Sequence, residues 1–182
     1  MQITNTLYVA DRHEWRKWLN ENHATESEIW LVYPRKDSGK PCIPYNGAVE
    51  EALCFGWIDG IVKKFNGESS AQRFTPRRAK SNWSELNKER ARRMIESGKM
   101  TEAGLAKLGD VLETAFEFPS DIIAALQADE QTWENFQQFS DTYKRIRIGY
   151  IEEVRRRPEY FQKRLDYFLK MTAQNKRFGT LQ

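Results

Sequence analysis

Histidine and cysteine are the scarce residues of this 182-residue chain, with two of each. His13 and His23 have no cysteine or carboxylate pattern around them, which argues against a metal centre and against a Ser-His-Asp triad. Cys42 and Cys54 form no CxxC pair and lie near no histidine at ligand spacing. Two free thiols in a reducing compartment are therefore expected, in a cytoplasmic protein with no metal and no cofactor. Long apolar runs are also missing. No stretch approaches the ~20 residues of a membrane span, so no membrane contact is expected. Met1-Gln2-Ile3-Thr4-Asn5 is neither basic nor apolar, and no signal peptide is expected there.

Aromatic residues are abundant instead: six Trp, seven Tyr and ten Phe in a chain that is 40% hydrophobic. That is enough apolar mass for a core without metals or disulfides. The net charge of +3 is unevenly placed. Residues 1–72 carry −2, residues 73–99 carry +6, residues 100–143 carry −8 and residues 144–182 carry +7. An acidic block between two basic ones allows self-complementation within the fold, or a basic face for an anionic partner.

Local patterns predict a short strand at residues 7–10, then a helix capped by Asp11 with Glu14 completing a capping box. That helix carries Trp15, Trp18 and Leu19 on one stripe. Residues 28–33 read as a central strand, since both faces are apolar. A helix over 46–55 ends at Gly56, and residues 57–65 form a strand. Asn66-Gly67 is a strong hairpin signal, with a return strand over 70–75 stopped by Pro76. Ser81 or Ser84 caps the next helix, which ends at Gly98, and a helix over 101–112 follows. Beyond Pro119 only helices are expected, at 119–128, 131–139, 141–157 and 159–175, the last two broken by Pro158. The fold class is α+β: a small antiparallel sheet with packed helices (1–118), followed by a C-terminal all-helical segment (119–182).

One region concentrates polar chemistry. Asp59 is a carboxylate in the otherwise apolar strand Trp57-Ile58-Asp59-Gly60, and a buried charge needs a partner. The return strand and its end supply Arg73, Arg77 and Arg78. Ser81, Trp83, Ser84 and Asn87 follow around a helix start, where free N–H groups, the dipole and forked arginines suit an anion. The pocket read from this is a small anionic-ligand site with Asp59 and Asn87 as catalytic candidates. Trp57, Arg77, Arg78, Ser81, Trp83 and Ser84 are its binding residues. A structural Asp–Arg staple across the hairpin accounts for the same residues. Asp59, one of Arg77 or Arg78, Trp83 and Asn87 are expected in one neighbourhood.

Other readings rank lower. Cys54 falls at a helix C-terminus, the wrong end for an activated thiolate. Arg145, Arg147, Arg155, Arg156 and Arg157 form a basic stripe, but apolar residues interleave with it as an ordinary core face. No recognised nucleic-acid motif accompanies it, so nucleic-acid binding ranks last. Docking of another protein through the C-terminal helices is the intermediate alternative. Nothing in the sequence sets the oligomeric state.

Several segments together resemble the YdeI/OmdA-like family (bacteriocin-protection, YdeI or OmpD-associated). They are Ile29-Trp30-Leu31-Val32-Tyr33, the run from Ala48 to Gly60, Phe74-Thr75-Pro76-Arg77-Arg78, Ser81-Asn82-Trp83-Ser84 with Asn87, and the run from Gly98 to Leu105. They cover most of residues 28–105. The tail resembles the family's C-terminal segment more loosely: Pro158-Glu159-Tyr160-Phe161-Gln162-Lys163-Arg164 lacks the family's usual Glu-Thr-Arg. The resemblance implies a role in stress or bacteriocin resistance and a link to an outer-membrane porin.

Overall fold

A computed structural model describes residues 2–67, 69–78 and 81–179. The chain forms two compact units, residues 1–81 with 90–111, and residues 82–89 with 112–182.

The first unit is built on a four-stranded sheet in the order β1-β2-β4-β3. The strands are β1 (Thr6–Leu7), β2 (Ile29–Tyr33), β3 (Trp57–Phe65) and β4 (Ser69–Pro76). The three long strands pair antiparallel, and β2 is central, as its two apolar faces require. The short β1 joins β2 in parallel, so the sheet is mixed at that edge. The connection that returns the chain parallel is helix α1 (Arg12–Asn22). Only Thr6 and Leu7 pair as a strand, against the expected 7–10.

Helix α1 is capped by Asp11 as expected, while the Glu14 carboxylate meets the N–H one residue earlier than in a standard capping box. Asp11 accepts from the Glu14 N–H at 3.0 Å, and Glu14 reaches back to the Ala10 N–H at 2.8 Å. Trp15 and Leu19 are buried, while Trp18 stays half-buried, stacked on Trp15 and edge-on to Trp57. Helix α2 (Tyr45–Cys54) is joined to α1 by the Trp15 indole N–H, which donates to the Ala48 carbonyl at 3.0 Å. Glu51 of α2 is only 3% exposed. Arg12 and Arg16 both bind its carboxylate, at 2.8 and 2.7 Å, so the buried charge is paired.

Helix α2 ends at Gly56, whose φ of +72° favours glycine. Helix α3 (Glu85–Glu96) contributes residues to each unit, and α4 (Glu102–Leu108) belongs to the first. Gly109, at φ +53°, follows α4, so the helix stops short of the expected residue 112. Thr101 caps α4 by accepting from the Gly104 N–H at 3.4 Å, and donates its own hydroxyl to the Cys54 carbonyl at 2.5 Å. Gly104 lies so close to that carbonyl that a Cβ there would stand 2.4 Å from its oxygen.

The second unit is helical: α5 (Ser120–Gln127), α6 (Glu130–Gln138), α7 (Asp141–Glu152) and α8 (Pro158–Ala173). Ile122, Leu126, Phe136, Tyr143, Ile148 and Phe168 form its core with their neighbours. Asp129 and Ser140 cap α6 and α7. The expected helix over 141–157 ends at Glu152, and Pro158 then occupies the first turn of α8, where its missing N–H costs nothing. Asn135 is buried because its amide donates to the Thr172 carbonyl at 2.9 Å, satisfying an orphan acceptor at the end of α8. Among the described residues no helix is long and apolar enough to cross a membrane.

Candidate functional site

A bulge in β3 creates the site's geometry. Asp59 pairs with Phe74, and the next pairing is Val62 with Gln72, so Gly60 and Ile61 together oppose Arg73. The alternation read from Trp57 through Phe65 therefore breaks after Asp59. Ile61 and Val62 turn outward and are exposed.

Asp59 is half-buried and engaged by two donors. The Tyr45 hydroxyl reaches its Oδ2 at 2.7 Å, and the Gln72 amide reaches the same oxygen at 3.3 Å. The Gln72 amide also donates to the Gly60 carbonyl at 3.0 Å, bracing the bulge. Two buried guanidiniums feel the Asp59 charge: Arg77, 4% exposed, and Arg90, 3% exposed. Burial pushes Arg77 down to about 10, partly offset by Asp59. Arg90 is lowered by the same cause, opposed by Tyr45, Asp59 and Glu50, and its guanidinium donates to Asn46 Oδ1 at 2.7 Å. Burial, then the Asp59 hydrogen bond, pushes Tyr45 up to about 12.

The residues expected to meet divide as follows. Asp59 and Arg77 come within electrostatic reach of one another, and the Arg77 backbone N–H donates to the Gly56 carbonyl at 2.8 Å. Arg78 is exposed. Arg73 does not staple Asp59. It binds Glu28 through Nε at 2.7 Å, because alternation along β4 points it away from the face that carries Gln72 and Phe74. Trp57 is a core residue, its indole N–H donating to the His23 carbonyl at 3.0 Å. Ser81 lies in the first unit and is half-buried, its hydroxyl oxygen fully covered. Ser84, not Ser81, caps α3, accepting from the Asn87 N–H at 3.2 Å. Trp83, Ser84 and Asn87 belong to the second unit.

Tyr45, Gln72 and Arg90 are partners of Asp59 that the motif reading missed. Gln72 had a usable signal, since alternation puts it on the Phe74 face of β4. Tyr45 and Arg90 come from helices distant in sequence and had none.

Beside this cluster lies a groove of about 590 Å³, lined by Tyr33, Arg35, Lys40, Cys42, Tyr45 and Gln72 with neighbouring residues. None of the catalytic or binding candidates singled out from the sequence lines it. Its link to Asp59 runs through Tyr45 and Gln72. The Tyr33 hydroxyl is buried without a hydrogen-bond partner among the described residues. Arg35 is engaged by Asp37. Both cysteines are free, and no group of carboxylates, histidines and cysteines suited to a metal occurs among the described residues.

The site thus belongs to a small α+β domain with a cationic, tyrosine-lined groove. The chain belongs to the family described as Domain of unknown function (DUF8412), which matches residues 7–107. Residues 115–175, about a third of the chain, match the family described as Bacteriocin-protection, YdeI or OmpD-Associated, so the tail is YdeI/OmdA-like. The motifs at 28–105 fall within the first match, and the second falls on the tail. Neither a curated protein nor a solved structure matches the chain.

Proposed function

We propose that the groove beside Asp59 binds a small anionic ligand, and that this binding underlies a role in bacteriocin protection or stress resistance in the cytoplasm. The observation that carries the reading is the buried Tyr33 hydroxyl without a partner. A buried polar group left unpaired costs about 1–3 kcal/mol, which a ligand oxygen would recover. Lys40 and the Gln72 and Tyr45 side chains stand at the same groove, and Arg77 and Arg90 make the region behind it positive. Asp59 is a positioning residue in this reading. Its oxygen already accepts from Tyr45 and Gln72 and so fixes two of the groove's walls. The reading is one of binding, and no activated nucleophile is among the groove's described lining residues. Cys42 is the nearest thiol, and burial raises it.

Thermal denaturation with inorganic phosphate against sodium chloride at matched ionic strength tests this. A ligand at ~100 times its Kd stabilises by about 2.7 kcal/mol. Phosphate should raise Tm in the wild type and do so less in Tyr33→Phe and Lys40→Ala. No phosphate-specific shift, or an equal shift in both variants, would overturn the reading.

A further inference from the structure

The second unit holds a groove of its own, of about 610 Å³, on the surface made by α7, α8 and the segment after α8. Arg147, Lys163 and Arg164 supply its cations, and Tyr150, Tyr167 and Phe178 its rings. No carboxylate is among its described lining residues.

Arg147 is the central group. It is only 7% exposed, and its guanidinium carbon lies 5.3 Å from the centre of the Phe178 ring, 5.8 Å from Tyr143 and 5.9 Å from Tyr150. Its Nε–H has no hydrogen-bond partner among the described residues. Glu153 is the carboxylate whose charge reaches it, and Glu153 also stands 3.8 Å from Arg164. A buried guanidinium held mainly by ring faces leaves a donor unspent, and an anion is the group that uses it.

The rings are placed for stacking. The Arg164 guanidinium carbon lies over Tyr150, 3.5 Å from its ring centre, and Tyr167 meets Phe178 edge-on at 4.8 Å. The Phe178 N–H donates to the Tyr143 hydroxyl at 3.2 Å, which holds that wall in position. Tyr150, Tyr160 and Tyr167 are all large, exposed and on this one surface. Isolated exposed aromatics need no explanation, but a cluster around a concave cationic site does. A groove of this volume holds a molecule the size of a mononucleotide, and exposed tyrosine faces and guanidinium edges accept a flat ring beside them.

We infer that this groove binds a flat aromatic molecule carrying one anionic group, with the anion at Arg147 and Lys163 and the ring against Tyr150 and Tyr167. An aromatic carboxylate and a nucleoside monophosphate share that chemistry. The inference is independent of the Asp59 groove.

Calorimetric titration of the full chain at fixed ionic strength, with AMP and 2-naphthoate as probes, tests it. Adenosine and inorganic phosphate serve as the half-ligands. At least one probe should bind, and should bind roughly tenfold or more tighter than its half-ligands, a difference of about 1.4 kcal/mol. Tyr167→Ala and Lys163→Ala change surface residues and should each weaken that probe, while Tyr33→Phe, at the other groove, should leave it unchanged. A preference for AMP over 2-naphthoate identifies the nucleotide class, and the reverse identifies the aromatic acid class. Adenosine binding as well as AMP, or wild-type affinity in both groove variants, or loss of binding in Tyr33→Phe, would overturn the inference. So would tighter, steeply salt-dependent binding of a thymidine oligonucleotide, which would mark a strand-binding surface.

Discussion

The Tyr45 hydroxyl donates to Asp59 at 2.7 Å across an α2–β3 contact, so one tyrosine both shields the carboxylate and borders the groove beside it. Burial and this bond push the phenol up to about 12 from its ordinary value near 10. The consequence has a defined sign. Below pH 10 the folded and unfolded chains both keep the proton. Between pH 10 and about 12 only the folded chain keeps it, so stability falls as pH rises through that window. Spectrophotometric titration should show one late-titrating tyrosine fewer in Tyr45→Phe, and urea denaturation at pH 8 and pH 11 should show a smaller loss for the variant. At pH 8 the variant should be less stable by about 0.5–1.5 kcal/mol, the worth of one hydrogen bond at a partly exposed site.

Gly104 meets the carbonyl at the end of α2 with no room for a side chain. Gly104→Ala should destabilise by about 1–3 kcal/mol, because a methyl 2.4 Å from the Cys54 oxygen forces backbone apart. Gly98→Ala is the control. Space is open there, and only the φ of +67° is strained, so it should cost roughly 1 kcal/mol. Urea midpoints with unchanged slopes would measure both. Equal costs would show that the Gly104 contact is relaxed in solution.

Cys54 is buried, and burial with the nearby Glu51 charge raises its thiol to about 11 against the pull of Arg16. The native chain should therefore alkylate at Cys42 well before Cys54 at neutral pH, since the thiolate is the reacting form. In urea both should react, giving two thiols per chain. Peptide mapping after timed iodoacetamide labelling reads the order. Faster modification of Cys54 than of Cys42 would contradict its packing.

Local physics made most of the fold legible. The Asp11 cap, the Asn66-Gly67 hairpin, the glycine after α2 and the apolar faces of β2 each act over a few residues, and each is readable as a string. The helical tail was legible for the same reason, apart from the early end of α7. Gly60 reads as a bend or bulge from its residue type, but the string could not carry the register there, with Gly60 and Ile61 together opposite Arg73. One extra residue there reverses the alternation, exposes Val62 and leaves Asp59 facing Gln72 while Arg73 turns to Glu28.

Asp59 was visible as a lone carboxylate in an apolar strand, and Arg77 as a cation at the strand's end. Their neighbours Tyr45 and Arg90 were not, because long-range packing of α2 against β3, and the Arg90 bond to Asn46 of α2, bring them there. Periodicity records which face a side chain takes within its own element. It holds no information about which distant side chain stands opposite. Thus sequence alone determined the α+β class, the likeness of the tail to the YdeI/OmdA family and the residues carrying charge into apolar surroundings. Only the tertiary structure decided which partners those charges meet, since partner choice is set by the packing of whole elements and not by local pattern.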